Sequence, residues 1–174
     1  KDGTRLFVAC ANTNAVWVVD LATRTAREQV SVALYPNAPA GSTPNALGLS
    51  PDGDTLLVAN ADNNAVAVLD VSRPGTSVVK GFIPTGWYPT TVTVTKDKHR
   101  LLVTNAKGLG AGPNPGGPQP TNPVVDYSQY VGSMIMGTLS DIAVPRAPEL
   151  AHYTKQVRQN DGFDTAVHPN GPAN

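Results

Sequence analysis

The chain is poor in charged residues, in cysteine and in long hydrophobic segments. Asp, Glu, Lys and Arg make up 15% of its 174 residues, against a usual share of about 25%. The formal net charge is zero and no run of basic residues occurs. Neither nucleic acid nor an anionic membrane surface is therefore predicted as a partner. No apolar stretch approaches the roughly 20 residues that span a bilayer, so no membrane span is predicted.

The single cysteine, Cys10, excludes an internal disulfide. It ends an apolar run and is interpreted as a small buried hydrophobic residue. The chain begins directly on a turn at Lys1–Gly3, without the charged and then apolar leader of a signal peptide, so no signal peptide is expected in it. Gly and Pro are abundant, at 16 each, which indicates frequent turns rather than helices.

The most informative feature is an internal repeat. Residues 2–20 align without a gap with residues 52–70, and each copy contains an Asp-Gly turn, an apolar run and a Val-rich segment ending on Asp. A third copy begins near Asp97. The offset is 50 residues between the first two copies and 45 residues between the second and third. Such a repeat, built from short apolar runs, predicts an all-β, radially repeated architecture, a β-propeller.

The second copy predicts the strands of one repeat unit. An Asp-Gly turn between the first two apolar runs is a strong hairpin signal, because glycine accepts a positive φ. The strands are predicted over residues 45–50, 55–60, 65–70 and 78–83.

The sequence thus predicts about three four-stranded antiparallel blades within residues 1–145. Blade 1 covers about 1–43, blade 2 about 44–89 and blade 3 about 90–145. Because a ring closes with about 4–8 blades, the chain is expected to be a fragment of a larger propeller. Its two end blades are expected to expose apolar faces and to promote association.

Two segments interrupt the repeat. The first copy differs from the second by five residues between Asp20 and Pro44, a difference assigned to Tyr35–Thr43. The third copy contains a Gly- and Pro-rich inserted loop over residues 106–136 and resumes with a strand over 138–142. Both lie on the same predicted face, where length variation is typical of functional loops. A surface loop that merely tolerates insertion is the alternative.

Residues 146–174 are predicted to form a linker helix and a tail. The helix is predicted over residues 148–159, with proline in its first turn and Lys155 and Arg158 near its C-terminal end. Leu150, Tyr153 and Val157 form an apolar stripe suited to docking on a surface.

The repeat motifs resemble those of a known family. Val8–Cys10, Val58–Asn60 and Val103–Asn105 occupy the position that gives the YVTN β-propeller repeat family its name, and Ser50–Gly53 matches its turn. The resemblance covers residues 1 to about 145. It implies a seven-bladed propeller of the YVTN or lactonase-like type.

Three further segments resemble one subgroup of that family. They are residues 81–89, residues 107–110 with 113–118, and residues 137–140 followed by the helix over 148–159. These segments are similar to YncE-like proteins in which a propeller is fused to a phosphoesterase of the alkaline phosphatase superfamily. This resemblance implies a helix that leads toward a catalytic domain and a periplasmic or secreted location.

No catalytic, cofactor-binding or metal-binding residue is predicted. The sequence has no haem-attachment motif and no Gly-rich phosphate loop that opens a helix. Asp161, Asp164 and His168 form the only local group of possible metal ligands, and they are interpreted as chance neighbours in a polar tail.

Five residues are candidates for a partner- or ligand-binding face. Trp87 and Tyr88 are placed in an exposed connection between blades, and packing against the next blade is the alternative interpretation. The strand-ending asparagines can instead bond neighbouring backbone amides. The full candidate set is Trp87, Tyr88, Asn60, Asn105 and Lys107.

The predicted function is a non-catalytic binding or scaffold module of a larger protein, with no cofactor. Its expected partners are the missing blades or an attached C-terminal domain, together with an unknown protein or small-molecule ligand. One alternative is the propeller part of a phosphoesterase whose catalytic domain lies beyond this chain. The other is a lactonase-like propeller enzyme, since related propellers include lactonases and haem-dependent nitrite reductases.

Overall fold

The computed structural model of the chain describes residues 2–110 and 131–163. Their strands form three antiparallel sheets that follow one another along the sequence. The first sheet contains β1 (Arg5–Cys10), β2 (Ala15–Asp20) and β3 (Thr25–Ser31). The second contains β4 (Pro44–Leu49), β5 (Thr55–Asn60), β6 (Ala65–Asp70) and β7 (Val78–Pro84). The third contains β8 (Trp87–Val94), β9 (Arg100–Gly108) and β10 (Thr138–Ala143), and the helices are α1 (Val131–Met134) and α2 (Ala147–Asn160).

Successive strands are neighbours in every sheet, as in propeller blades, so the predicted all-β fold is confirmed. The middle sheet has the four strands of a complete blade, and the two outer sheets have three each among the described residues. Alignment of the repeats with the four-stranded middle sheet shows which strands the outer sheets contain. The first sheet contains the second to fourth strands of a blade, and the third sheet contains the first to third strands. After β10 the chain forms α2 instead of a fourth strand, since Pro145 and Pro148 suit the start of a helix and disfavour a paired strand.

The apolar run of β5 explains why the middle blade forms the core. Leu56, Leu57 and Val58 are each at most 2% exposed although neighbouring residues of a strand point to opposite faces. One cluster of buried side chains, including Val16, Leu56 and Val58, fills the space between the first and second sheets. A second cluster, including Leu57 and Val103, lies between the second and third sheets.

The connections alternate between two faces of the molecule, because consecutive strands are antiparallel. One face carries residues 51–54, 71–77 and 95–99, and we call it the turn face. The opposite face carries the 3₁₀ turns Ala11–Thr13 and Ala61–Asn63, as well as residues 32–43 and 85–86 that join one blade to the next. We call it the connection face.

The difference between the first two copies lies in two places rather than one. The turn between β2 and β3 spans residues 21–24, whereas that between β6 and β7 spans the longer 71–77. The inter-blade connection spans residues 32–43 in the first case and only 85–86 in the second. The assignment to Tyr35–Thr43 alone is therefore wrong, because a longer connection is partly offset by a shorter turn.

The insertion in the third copy also begins later than predicted. Strand β9 continues past Asn105 to Gly108, where it pairs with Trp87. The predicted strand over 138–142 is confirmed as β10. Residues 111–130 of the predicted loop lie outside the described residues.

Helix α2 forms over the predicted residues and packs along β7. The carboxylate of Glu149 accepts the backbone N–H of Arg146 at 2.9 Å and caps the first turn. Of the predicted apolar stripe, Leu150 and Val157 are 9% and 1% exposed, and Tyr153 packs partly buried against the second cluster. Among residues 2–110 and 131–163, no helix is long and apolar enough to cross a membrane.

Close contact between helix and strand depends on Gly81 of β7. A Cβ atom at this position would lie 2.5 Å from Oγ1 of Thr154 and 2.9 Å from Cγ of Leu150. Any side chain at residue 81 would therefore push α2 away from the outer strand of the middle blade.

Candidate functional site

The connection between the second and third blades is held by Asn64. This residue has a left-handed backbone conformation, with φ at 49°, which asparagine tolerates better than most residues. Its carbonyl oxygen accepts the N–H of Thr85 at 2.9 Å. Its side-chain Oδ1 accepts the N–H of Tyr88 at 2.9 Å. One asparagine thus fixes both ends of the short connection.

Asn14 plays the same part for the first connection. Its φ is 51°, and its carbonyl oxygen accepts the N–H of Val32 at 2.8 Å. Its Oδ1 accepts the N–H groups of Gly41 and Ser42 at 2.9 and 2.8 Å. Sequence reasoning missed this pair, although the repeated Asn-Ala before β2 and β6 was a usable signal.

Trp87 and Tyr88 are the first residues of β8 rather than part of a connecting loop, which corrects the sequence-based placement. The strand has register shifts on either side of Pro89 where it pairs with β9, so it bulges there. Tyr88 has φ at 59°, and its N–H donates to Oδ1 of Asn64. Trp87 as a residue remains 53% exposed.

The end of β9 turns back under Trp87. Lys107 starts a tight turn in which its carbonyl oxygen accepts the N–H of Gly110 at 2.7 Å. Gly108 has φ at 54°, and a Cβ there would overlap the carbonyl oxygen of Met136. A Cβ at Gly110 would lie 3.1 Å from the nearest carbon of the Trp87 ring. The glycines therefore let the backbone support the indole from one side.

The ammonium group of Lys107 lies over the ring of Tyr88. Its Nζ is 4.3 Å from the ring centroid, within the range of a cation–π interaction. No carboxylate of the described residues lies within ion-pair distance of Lys107. We call Trp87, Tyr88 and Lys107 the aromatic–lysine cluster.

The two predicted asparagines lie inside the molecule, apart from this exposed cluster. Asn60 is 0% exposed and its Nδ2 donates to the carbonyl oxygen of Val32 at 2.7 Å, joining the first and second blades. Asn105 is 1% exposed and its Nδ2 donates to Oγ of Ser140 at 2.9 Å within the third blade. Both side chains therefore support the connection face from below.

The acidic groups are dispersed. Within residues 2–110 and 131–163, no three His, Cys, Asp or Glu side chains are grouped as metal ligands. Asp161, at the C-terminal end of α2, is partly buried, and this burial raises the pKa of its carboxyl to about 6 despite a hydrogen bond from Asn63. Asp164 and His168 lie outside the described residues.

Comparisons with known proteins agree with the fold. Residues 1–109 match the sequence profile of the family described as lactonase, 7-bladed beta-propeller. Among curated proteins, none has a significantly similar sequence. Hydrazine synthase of Kuenenia stuttgartiensis is similar in structure, with a TM-score of 0.51 and 27% identity over 60% of this chain and 27% of that protein.

Two further solved structures are similar. A proposed 6-phosphogluconolactonase of Bacteroides fragilis has a TM-score of 0.52 and 24% identity, over 61% of this chain and 30% of its own. A second proposed 6-phosphogluconolactonase, from Bacteroides uniformis, has a TM-score of 0.53 and 16% identity. The match covers 80% of this chain and 41% of the other. These two likenesses concern the fold.

The chain therefore spans less than half the length of each of these structures. The family profile, in contrast, covers well over half of the chain, and its match includes the middle blade and the aromatic–lysine cluster. The chain belongs to the seven-bladed β-propeller lactonase family.

Proposed function

We propose that the chain is a non-catalytic binding module whose aromatic–lysine cluster contacts a ligand on the connection face. The observation that carries this proposal is the exposure of a large aromatic side chain in a fixed position. Trp87 is 53% exposed although it lies in a strand and rests against Gly110. An indole that is fixed but exposed presents a flat apolar surface with little entropy left to lose on binding.

The chemistry of the cluster favours a ring-bearing anion, such as a sugar acid or a sugar phosphate. The indole face of Trp87 offers a stacking surface for the C–H groups of a sugar ring. The ammonium of Lys107 is positioned 4.3 Å above the Tyr88 ring and has hydrogen-bond donors left for a phosphate or carboxylate.

A lactonase is the second candidate function. It is favoured by the family match over residues 1–109. Two structural relatives are described as proposed 6-phosphogluconolactonases, and a phosphorylated sugar lactone also has the ring and the anionic group that the cluster would recognise. In this alternative, Lys107 would bind the phosphate, and the lactone ring would be opened by groups of the complete propeller.

Binding is tested with glucose 6-phosphate, a closed-ring sugar phosphate, as the probe and the heat measured by isothermal titration calorimetry as the signal. We expect a saturable change in the full 174-residue chain, its loss in Trp87→Ala, and affinity at least tenfold weaker in Lys107→Met. Lys96→Met removes an exposed lysine from the turn face and serves as the matched control. Absence of saturable binding would contradict both candidate functions at this cluster.

Turnover separates the two candidates. Hydrolysis of 6-phosphogluconolactone is compared with its spontaneous rate in buffer. Binding without acceleration supports the non-catalytic module. Acceleration that is lost in Lys107→Met but kept in Lys96→Met would instead establish the lactonase.

The narrower resemblance to YncE-like proteins concerns the whole protein. We propose further blades or an attached C-terminal domain as its partners, and a periplasmic or secreted location. Hydrolysis of p-nitrophenyl phosphate by the full-length protein tests for an attached phosphoesterase, and its absence would remove that candidate.

A further inference from the structure

A cavity of about 230 Å³ lies between the second and third blades at the turn face, opposite the aromatic–lysine cluster. Its apolar wall includes Leu57, Val94 and Leu101 from the two blades, and Leu150 of α2 completes it. Asp52 and Lys98 also line it, and their side chains are 38% and 51% exposed. These two residues therefore mark the opening to solvent.

Lys98 departs from the repeat at this opening. The equivalent turn position is glycine in the first two copies, Gly3 and Gly53, with φ at 76° and 89°. Lys98 keeps the left-handed conformation, with φ at 62°, although a side chain makes it unfavourable. A strained backbone at a non-glycine residue is a reason to look for a role of its side chain.

The side chain of Lys98 joins two neighbouring blades. Its Nζ lies 2.7 Å from Oδ2 of Asp52, in the corresponding turn of the second blade. The other carboxylate oxygen accepts hydrogen bonds from Oγ of Ser50 and from the N–H of Asp54. Asp52 is thus held in place, and it holds the ammonium group at the cavity opening.

We propose that this cavity binds a small uncharged amphiphile, with its apolar body inside and a hydroxyl or carbonyl head at the Asp52–Lys98 pair. After the two groups pair, the ammonium group of Lys98 still has N–H donors and the carboxylate of Asp52 still has acceptor positions. A hydroxyl head can therefore form hydrogen bonds with both groups, and a carbonyl head can accept one from the ammonium group. The pair has no net charge, so it offers a charged head of either sign no net attraction to offset the water that this head would lose on binding.

The volume sets the size of the ligand. A cavity of about 230 Å³ equals the liquid volume of roughly seven or eight water molecules. A linear alcohol of six carbons fits this space, and 1-hexanol is therefore the probe. Because Leu150 belongs to α2, an occupied cavity also stabilises the packing of the helix against the middle blade.

The test is a titration of the full chain with 1-hexanol, followed by the methyl NMR signals of Leu57 and Leu101. We expect saturable shifts, with hexanoate and hexylamine binding at least tenfold more weakly. Lys98→Gly restores the residue of the other two copies and is expected to fold, but to bind 1-hexanol about fivefold more weakly through loss of a hydrogen bond. Lys96→Gly, in the same turn but outside the cavity, is the matched control.

A second variant fills the cavity. Val94→Phe is expected to abolish the shifts at Leu57, while Trp87→Ala on the opposite face leaves them unchanged, which separates this site from the proposed function. Hexanoate or hexylamine binding as tightly as 1-hexanol would overturn the uncharged ligand. Unsaturable shifts, or equal binding by Lys98→Gly and the unmodified chain, would overturn the site.

Discussion

The hydroxyl of Thr154 in α2 lies 2.9 Å from the backbone nitrogen of Phe82 in β7 and accepts its hydrogen bond. The same hydroxyl donates to the carbonyl oxygen of Leu150 at 2.7 Å. One side chain of the helix thus satisfies a backbone N–H of the outer strand of the middle blade. Since exposed strand edges invite pairing with other chains, the helix also protects this edge.

We expect Thr154→Val to destabilise the chain by about 1–2 kcal/mol, because the N–H of Phe82 would stay buried without a partner. Urea denaturation measures the free energy, and hydrogen exchange at Phe82 locates the effect. Thr154→Ser keeps the hydroxyl and is the control. Equal stability of the Val and Ser variants would show that the hydrogen bond does not hold the helix.

The contact at Gly81 leads to a second prediction. Gly81→Ala is expected to cost about 1–3 kcal/mol, since the added methyl group overlaps Thr154 and Leu150 in a packed interface. The cost is expected to be smaller in a Leu150→Ala background, where space has been made. Urea denaturation of the two single variants and the double variant measures this coupling. Additive free energies would argue against a direct clash.

The sequence was sufficient for the features that depend on local pattern. The apolar run of β5 and the stripe of Leu150 and Val157 were predicted correctly, because a strand buried on both faces and an amphipathic helix each have their own periodicity. The surface against which α2 packs was not predicted. It depends on Gly81, far away in sequence, and a missing Cβ leaves no periodic signal.

The candidate site was predicted only in part, for a similar reason. Trp87, Tyr88 and Lys107 were identified from their residue types, but the cation–π contact depends on the pairing of β8 with β9. Asn60 and Asn105 were predicted to lie on the binding face, but both are buried. Their burial depends on contacts between segments that are far apart in sequence, which a local pattern does not show. Similarly, the exposed Asp141 of β10 pairs with Arg100 of β9 at 2.7 Å, a contact between strands that are far apart in sequence.

Asn60 links two blades, and its removal is expected to loosen them. Asn60→Ala deletes the bond to the carbonyl of Val32 and leaves that group unsatisfied, at a cost of about 2 kcal/mol. We expect the rates of amide hydrogen exchange in β3 and in β4 to increase together. The control is Asn12→Ala, which changes an exposed residue of the 3₁₀ turn after β1. Exchange that rises in β5 alone would show that the side chain stabilises its own strand and not the junction.

The stability of the chain should decrease with pH because of Asp161. Burial raises the pKa of this carboxyl from 3.8 to about 6 in the folded chain, so the folded state binds more protons than the unfolded state between these values. Its contribution is therefore present in full below about pH 3.8 and is lost as the pH rises to about 6.

Asp161→Asn is expected to remove this pH dependence and to be more stable than the unmodified chain at pH 7.5 by about 1 kcal/mol. This figure is well below the full value of the shift, because the carboxyl is partly exposed to solvent. Melting temperatures at pH 4.5 and 7.5 measure the effect, with the exposed Asp54→Asn as control. An unchanged difference between the two pH values in Asp161→Asn would assign the dependence to other groups.

The outward faces of the first and third sheets lead to the last prediction. Leu6 and Val8 of β1 are 49% and 37% exposed and point to the same side of their strand, and Leu139 of β10 is 62% exposed. We expect the isolated chain to self-associate through these faces, since adjacent exposed apolar side chains favour burial between molecules.

Light scattering coupled to size-exclusion chromatography measures the mass of the particles as the protein concentration is raised. Leu6→Ser combined with Val8→Thr should shift the distribution toward the monomer, whereas Leu21→Ser, at an exposed turn, should not. A monodisperse monomer at all concentrations would mean that these side chains do not drive assembly.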